Sequence, residues 1–204
     1  MGRMIVTPAQ VTLVTAAAAT PVTLAQAKSH LRIDHSDEDT LITAMIEAAT
    51  AHIENKTGRA MVERTYRADL WGFADEFYLP YPPLQSVTHV KYLDTSSPAT
   101  LQTVAAADYT VDARAGKVWR TYGATWPTTY VAHNAVQITW VAGYAPTGSP
   151  QDYTAPVEDA LRLAVMMTVA DLYENREAGV IGQGFTPTVN KTVDWMLEQY
   201  RDYR

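Results

Sequence analysis

Residues 37–58, DEDTLITAMIEAATAHIENKTG, form the most strongly periodic stretch of the chain. Leu41, Ile42, Met45, Ile46, Ala49 and Ile53 recur at spacings of one, three and four, which places them on one face of an α-helix. Both ends of that helix are written into the sequence. Ser36 or Asp37 can accept hydrogen bonds from the free N–H groups of the first turn, and the carboxylates of Asp37, Glu38 and Asp39 suit the positive end of the helix dipole. Gly58 can take the left-handed closing conformation. A helix with one apolar face has to bury that face, so the rest of the chain must supply a partner layer.

The chain has 204 residues, near the top of the ~100–200 residues usual for one domain, and is read as a single domain over 1–204. With 47% hydrophobic and 19% charged residues it has the composition of a globular protein. It contains no cysteine, which removes disulfide frameworks, thiolate zinc sites and cysteine nucleophiles and favours a disulfide-independent setting. A net charge of -6 argues against a general basic surface for gripping nucleic-acid phosphates. Near the start, Pro8, Gln10 and several threonines interrupt the apolar residues, so neither a secretory signal nor a membrane span is expected there. Without secretion, the Asn-x-Thr triplets at Asn55 and Asn190 read as chance.

Residues 1–22, rich in Ala, Thr and Val, show neither helical nor strand period and read as an extended or mobile arm that either grips a neighbour or frays. Thr23 and Gln26 have the spacing of a capping box and open a short helix through Ala27, His30 and Leu31. With the helix that follows, it makes a helical hairpin over 23–60. In 61–142 the period changes to two. Val62, Tyr66, Ala68 and Leu70 alternate with polar residues, and further strands are expected at 76–79, 86–93, 108–111, 117–120 and 135–141, separated by turn-forming segments. Residues 154–177 hold a core helix from Val157 to about Glu174, with Pro156 in its first turn and Val157, Leu161, Ala164, Val165, Thr168 and Leu172 inward. Residues 178–204 supply a glycine-rich loop and a last amphipathic helix, with Trp195 off its apolar stripe. The fold class is therefore α+β: a small helical bundle core with an inserted antiparallel β sheet or sandwich, an extended N-terminal arm and a C-terminal helix.

No catalytic set stands out. His30, His35, His52, His89 and His133 fit no metal-binding spacing, and a metal shared by His30 and His35 lacks further ligands. The acidic run 34–39 departs from a calcium loop, with Asp39 where the turn glycine belongs and Met45 where the bidentate Glu belongs. Gly179, Gly182 and Gly184 do not form a dinucleotide or phosphate loop. No cofactor or metal is expected, and no enzymatic activity.

The segments LAQAKSHLRID (24–34), LITAMIEAATAHIENKTGRA (41–60), YLPYPPLQSVTHVKYLD (78–94), VQITWVAGY (136–144) and PVEDALRLAVMMTVADLYENRE (156–177), taken in order, resemble the head-tail connector proteins of tailed phages. The nearest group is the long adaptor form that includes the adaptors of gene transfer agents. The resemblance covers about 23–177 and leaves out 1–22 and 178–204.

It implies a non-enzymatic adaptor, made in the host cytoplasm and located in the virion neck. Twelve subunits would form a ring on the portal protein and present a platform for a stopper or tail-completion protein. DNA would pass through without specific binding, and no membrane is involved. On this view Val180, Ile181 and Phe185 of the glycine-rich loop, with Trp195, Tyr200 and Tyr203 of the last helix, suit burial against a neighbouring subunit or the portal. Arg176 and Glu177 could form inter-subunit pairs. The last helix packing wholly on its own domain is the competing expectation. From another class, a β-rich carbohydrate- or ligand-binding module would use Trp119, Trp126 or Tyr130 as stacking platforms. An uncharacterised hydrolase is a more distant alternative.

Overall fold

The structure, a computed structural model, describes residues 5, 6, 8, 10–148, 151–175 and 191–202. The chain divides into two compact units, one made of Met1–Ala17 with Glu63–Tyr144 and the other of Ala18–Val62 with Ala145–Arg204.

The second unit is helical. Helix α1 (Leu24–Leu31) starts at the expected capping box: the Gln26 N–H donates to Thr23 Oγ1 at 3.2 Å, and the Thr23 N–H donates to Gln26 Oε1 at 3.0 Å. Helix α2 (Asp39–Thr57) begins later than Ser36 or Asp37 would place it, with Glu38 as N-cap and no side-chain cap bond. A turn closed by the Asp39 N–H on the Ser36 carbonyl occupies those positions, and Lys28 Nζ reaches Asp39 Oδ1 at 2.6 Å from α1. Gly58 ends α2 at φ 70°, where any other residue would be strained.

Ile42, Ile46, Ala49 and Ile53 are buried as their spacing requires, but the buried face is rotated toward Thr50, Glu54 and Thr57, leaving Leu41 exposed. These polar residues are tolerated because each is bonded. The hydroxyls of Thr50 and Thr57 donate to the carbonyls of Ile46 and Ile53, and Glu54 Oε1 accepts the Met61 N–H at 2.8 Å. Helix α3 (Asp159–Glu174) starts two residues later than expected, after an extended Glu158 whose carbonyl accepts the Leu161 and Arg162 N–H groups. Pro156 therefore precedes the helix. α3 buries Leu161, Ala164, Val165 and Val169, while Leu172 is exposed. Helix α4 (Lys191–Glu198) completes the unit; α1, α2 and α3 touch one another, and α4 packs on α2 and α3.

The first unit is a two-sheet β structure. Within the arm, strands β1 (Ile5–Val6) and β2 (Val11–Thr15) are extended and paired inside this unit, β1 parallel to β4 (Glu76–Tyr78) and β2 antiparallel to β3 (Arg64–Leu70). The other strands are β5 (Leu84–Leu93), β6 (Leu101–Thr103), β7 (Tyr109–Asp112), β8 (Lys117–Arg120) and β9 (Val136–Ala142). One sheet runs β1-β4-β8-β7 and the other β2-β3-β9-β5-β6. In β3, Tyr66, Ala68 and Leu70 are buried in alternation, as the period of two predicts. The central strand β9 instead buries Ile138, Thr139 and Trp140 in succession, the pattern of a strand covered on both faces. Tyr66 stacks between Trp140 and Tyr81, at 5.8 and 4.7 Å between ring centroids.

The two sheets meet through a second aromatic cluster. Trp126 stacks flat on Phe73 at 4.5 Å and lies edge-on to Phe77 of β4, while Phe73 also contacts Tyr92 of β5. Glu76, nearly fully buried, is paired at 2.8 Å with Lys117 of the adjacent strand β8. The hydrogen bonds of Lys117 with Glu76 and Tyr78 push its pKa above the usual lysine value.

Candidate assembly surface

The spacing of the last helix puts Val193, Met196 and Leu197 on one side, and these are its buried residues. Their burial is reinforced by polar contacts to the end of α2. Lys56 pairs with Asp194, the Asp202 N–H donates to the Thr57 carbonyl at 2.8 Å, and the Arg59 guanidinium lies 6.0 Å from the centre of the Tyr200 ring. Gly58 sits beneath this crossing; a Cβ there would lie 3.5 Å from Asp202 Cβ. One side of α4 thus belongs to the helical unit. Trp195 does not share that side: it is 78% exposed.

Beside Trp195 runs a groove of 620 Å³ between α3 and α4, walled by Leu163, Trp195 and Met196 and edged by Asp159, Glu198 and Gln199. Across Leu163 a second hollow of 480 Å³ lies between α1 and α3, where Gln26, Ser29 and His30 face Arg162 and Met166. Leu163 is 40% exposed and is shared by both hollows. At the other end of α3, the Tyr173 hydroxyl donates to the Glu38 carboxylate, which ties α3 to the start of α2.

Of the residues singled out from sequence, Trp195 and Tyr200 fall on this surface, Trp195 at the groove and Tyr200 half-buried under Arg59. Arg176, Glu177, Val180, Ile181, Phe185 and Tyr203 lie outside the described residues. Sequence reasoning missed Leu163 and Met166. The available signal was the run LAVMMTVA (163–170), which carries no charge on any face of α3.

In the β unit the exposed aromatics are Trp71, Tyr81, Tyr122 and Tyr130. Trp126 is engaged internally: besides its stacking on Phe73, its indole N–H donates to the Ala74 carbonyl at 2.9 Å. The loop after β5 is organised by Asp94, whose carboxylate accepts the N–H groups of Ser96 and Thr100, the hydroxyls of both, and Gln102 Nε2. Those bonds, the Ser96 hydroxyl's first, hold the Asp94 carboxyl well below the usual carboxylate range. Asp152 is lowered in the same way by the N–H and hydroxyl of Thr154, and burial lowers His89, with Lys91 adding to the effect. Among the described residues no group of three or more His, Asp or Glu is placed to hold a metal, and no helix is long and apolar enough to cross a membrane.

Residues 21–110 match the family model described as phage gp6-like head-tail connector protein. Among solved structures, the chain is similar to one in the neck of an empty gene transfer agent particle computed with C6 symmetry, at 25% identity and TM-score 0.72, covering 96% of both chains. It is similar to one in the virion of the native gene transfer agent particle, at 26% identity and TM-score 0.71, covering 95% of this chain and 96% of that one. A third, in the neck of the native particle computed with C12 symmetry, gives 25% identity, TM-score 0.71 and 96% coverage of both. Among curated proteins no sequence match was found.

Proposed function

We infer that the chain is a head-tail connector protein, the structural adaptor of a phage-like neck. The observation that carries this is the extent of the likeness: 96% of the chain superposes on 96% of a gene transfer agent neck chain, so both units share the fold and the match is not confined to one common motif. The family match at 21–110 adds α1, α2 and strands β3 to β6 from an independent direction. On this basis the protein is a virion component of the neck with a structural, non-enzymatic role.

The finer reading is a twelve-membered ring seated on the portal and offering a platform to a stopper or tail-completion protein, with DNA passing through its centre. The whole of 1–204 acts as one connector subunit. The C12 symmetry used for a similar neck supports the number, and the net charge of -6 suits a channel wall that does not retain phosphate. Contacts in the ring and with the portal fall to Val180, Ile181, Phe185, Trp195, Tyr200 and Tyr203, with Arg176 and Glu177 as charged partners. The carbohydrate-module alternative loses its best platform, because Trp126 is already stacked and hydrogen-bonded inside the β unit.

The test is electron microscopy of the full chain mixed with the portal ring of its own particle. Added density with twelvefold symmetry on one end of the portal is the expected result. Portal rings that stay bare at saturating protein would refute the function.

A further inference from the structure

We propose that the free edge of β2 receives an extended segment of a different polypeptide of the neck, which joins the five-stranded sheet as a sixth strand. The proposal rests on the ring reading above, which supplies the cyclic symmetry used below. β2 stands at one end of the order β2-β3-β9-β5-β6, so alternate residues along it turn their N–H and C=O groups away from β3. Sheet edges are ordinarily blunted by shortness, charge, proline or a bulge. The other edge strands follow that rule: β1 has two residues, β6 has three, and β7 ends on Asp112. β2 has five residues, VTLVT, with neither charge nor proline. Its one irregularity, a bulge at Val14, lies toward the end of the strand and leaves 11–13 in regular register with 68–66.

The rows that end on β2 define what the added strand carries. Leu13 is the outer end of a cross-strand row through Tyr66 and Trp140. Tyr66 is 6% exposed and Trp140 0%, whereas Leu13 is 49% exposed. A strand laid along β2 continues this row, and an apolar residue opposite Leu13 covers it. On the other face Thr12 ends the row through Arg67 and Thr139, so the next residue of the incoming strand is polar. β2 offers no charge to pair with, so a charged residue opposite Leu13 would be desolvated without compensation. The occupant is therefore an extended segment of alternating apolar and polar residues, uncharged on the side of Leu13.

Symmetry and strand length together set aside a second copy as its source. Copies in a cyclic ring meet through two different patches, so β2 does not face the β2 of a neighbour. A neighbour would have to supply another open edge. Among the described residues, β1 and β6 are too short to cover β2, and β7 is half-buried along its whole length. With a strand from another polypeptide, backbone hydrogen bonds provide affinity and the alternating side chains provide specificity.

Amide hydrogen exchange, followed by mass spectrometry on the free full chain and on joined head-tail particles, reads the edge directly. Exchange across 11–15 should slow at least tenfold in the particle. Exchange as fast as in the free chain would overturn the proposal. The chain has no cysteine, so Thr12→Cys at the exposed edge gives a unique thiol for a benzophenone label. Irradiated particles should yield an adduct with a different polypeptide. Adducts only with a second copy, only within one chain, or none at all would overturn the proposal and leave the ring intact. Particles whose necks lack the chain would sink the ring reading itself, and this proposal with it. In parallel, Leu13→Lys should cut the yield of joined particles at least tenfold with an unchanged circular dichroism spectrum. Wild-type yield from that variant would overturn the proposal.

Discussion

Helix α4 has two sides with different expected roles, and two positions on it, two residues apart, separate them. Leu197 is 1% exposed and Trp195 is 78% exposed. Truncating a buried leucine to alanine costs about 3–5 kcal/mol, the transfer of the lost methyls plus the cavity they leave. For a chain of this size each kcal/mol lowers the thermal midpoint by about 2–4 °C. Leu197→Ala at about 3 kcal/mol should therefore melt about 6–12 °C below wild type. Trp195→Ala removes a larger side chain from solvent, where substitutions fall within about 0.5 kcal/mol, so its midpoint should move by no more than about 2 °C. Calorimetry, with far-ultraviolet circular dichroism as a second probe, reads both. The reasoning fails if the order inverts, with Trp195→Ala the more damaging. It also fails if Leu197→Ala is silent, since α4 would then contribute nothing to the helical unit. An equal loss in both variants would mean that Trp195 is covered within the single chain.

The helical unit was the more legible part of the sequence because its signals are local. Thr23 and Gln26 lie three residues apart, and the structure forms both bonds of their box. Gly58 ends α2 where its backbone freedom is needed. Ser36 and Asp37 are good caps by type, but the structure uses the Ser36 carbonyl to close a turn with the Asp39 N–H, and Asp39 pairs with Lys28 from another helix, a contact that local spacing does not reveal. Strands with seven-residue alternation such as β3 were readable, but β6 has three residues and β1 two, too few for any period to appear. The arm had no readable period either. Its partner β3 lies some fifty residues away, so only the pairing Val11 with Ala68 through Thr15 with Thr65 reveals β2 as a strand. At the candidate surface, Trp195 stood out because it broke a stripe. Leu163 did not stand out because an apolar residue in an apolar helix looks like core until the packing shows which side is covered.

Two further outcomes test the polar contacts. Glu54 is buried and its Oε1 accepts the Met61 N–H at 2.8 Å, so Glu54→Leu should leave that donor unpaired at a cost of about 1–3 kcal/mol in denaturant unfolding, whereas Glu54→Gln, which keeps a carbonyl acceptor, should lose less. Asp94 sets the acid response of the loop after β5. Its carboxylate is held below the ordinary range by hydrogen bonds from Ser96, Thr100 and Gln102, so the folded form binds its proton less readily than the unfolded chain. The stabilisation is therefore fully present above the unfolded value of about 3.9 and is lost as pH falls through the lower folded value. Carboxyl-detected NMR should show Asp94 titrating below ordinary aspartates in the wild type and moving upward in Thr100→Ala, which removes one of the hydroxyl donors. An Asp94 that titrates like an ordinary exposed aspartate, or that fails to move in Thr100→Ala, would show that these donors do not hold the loop.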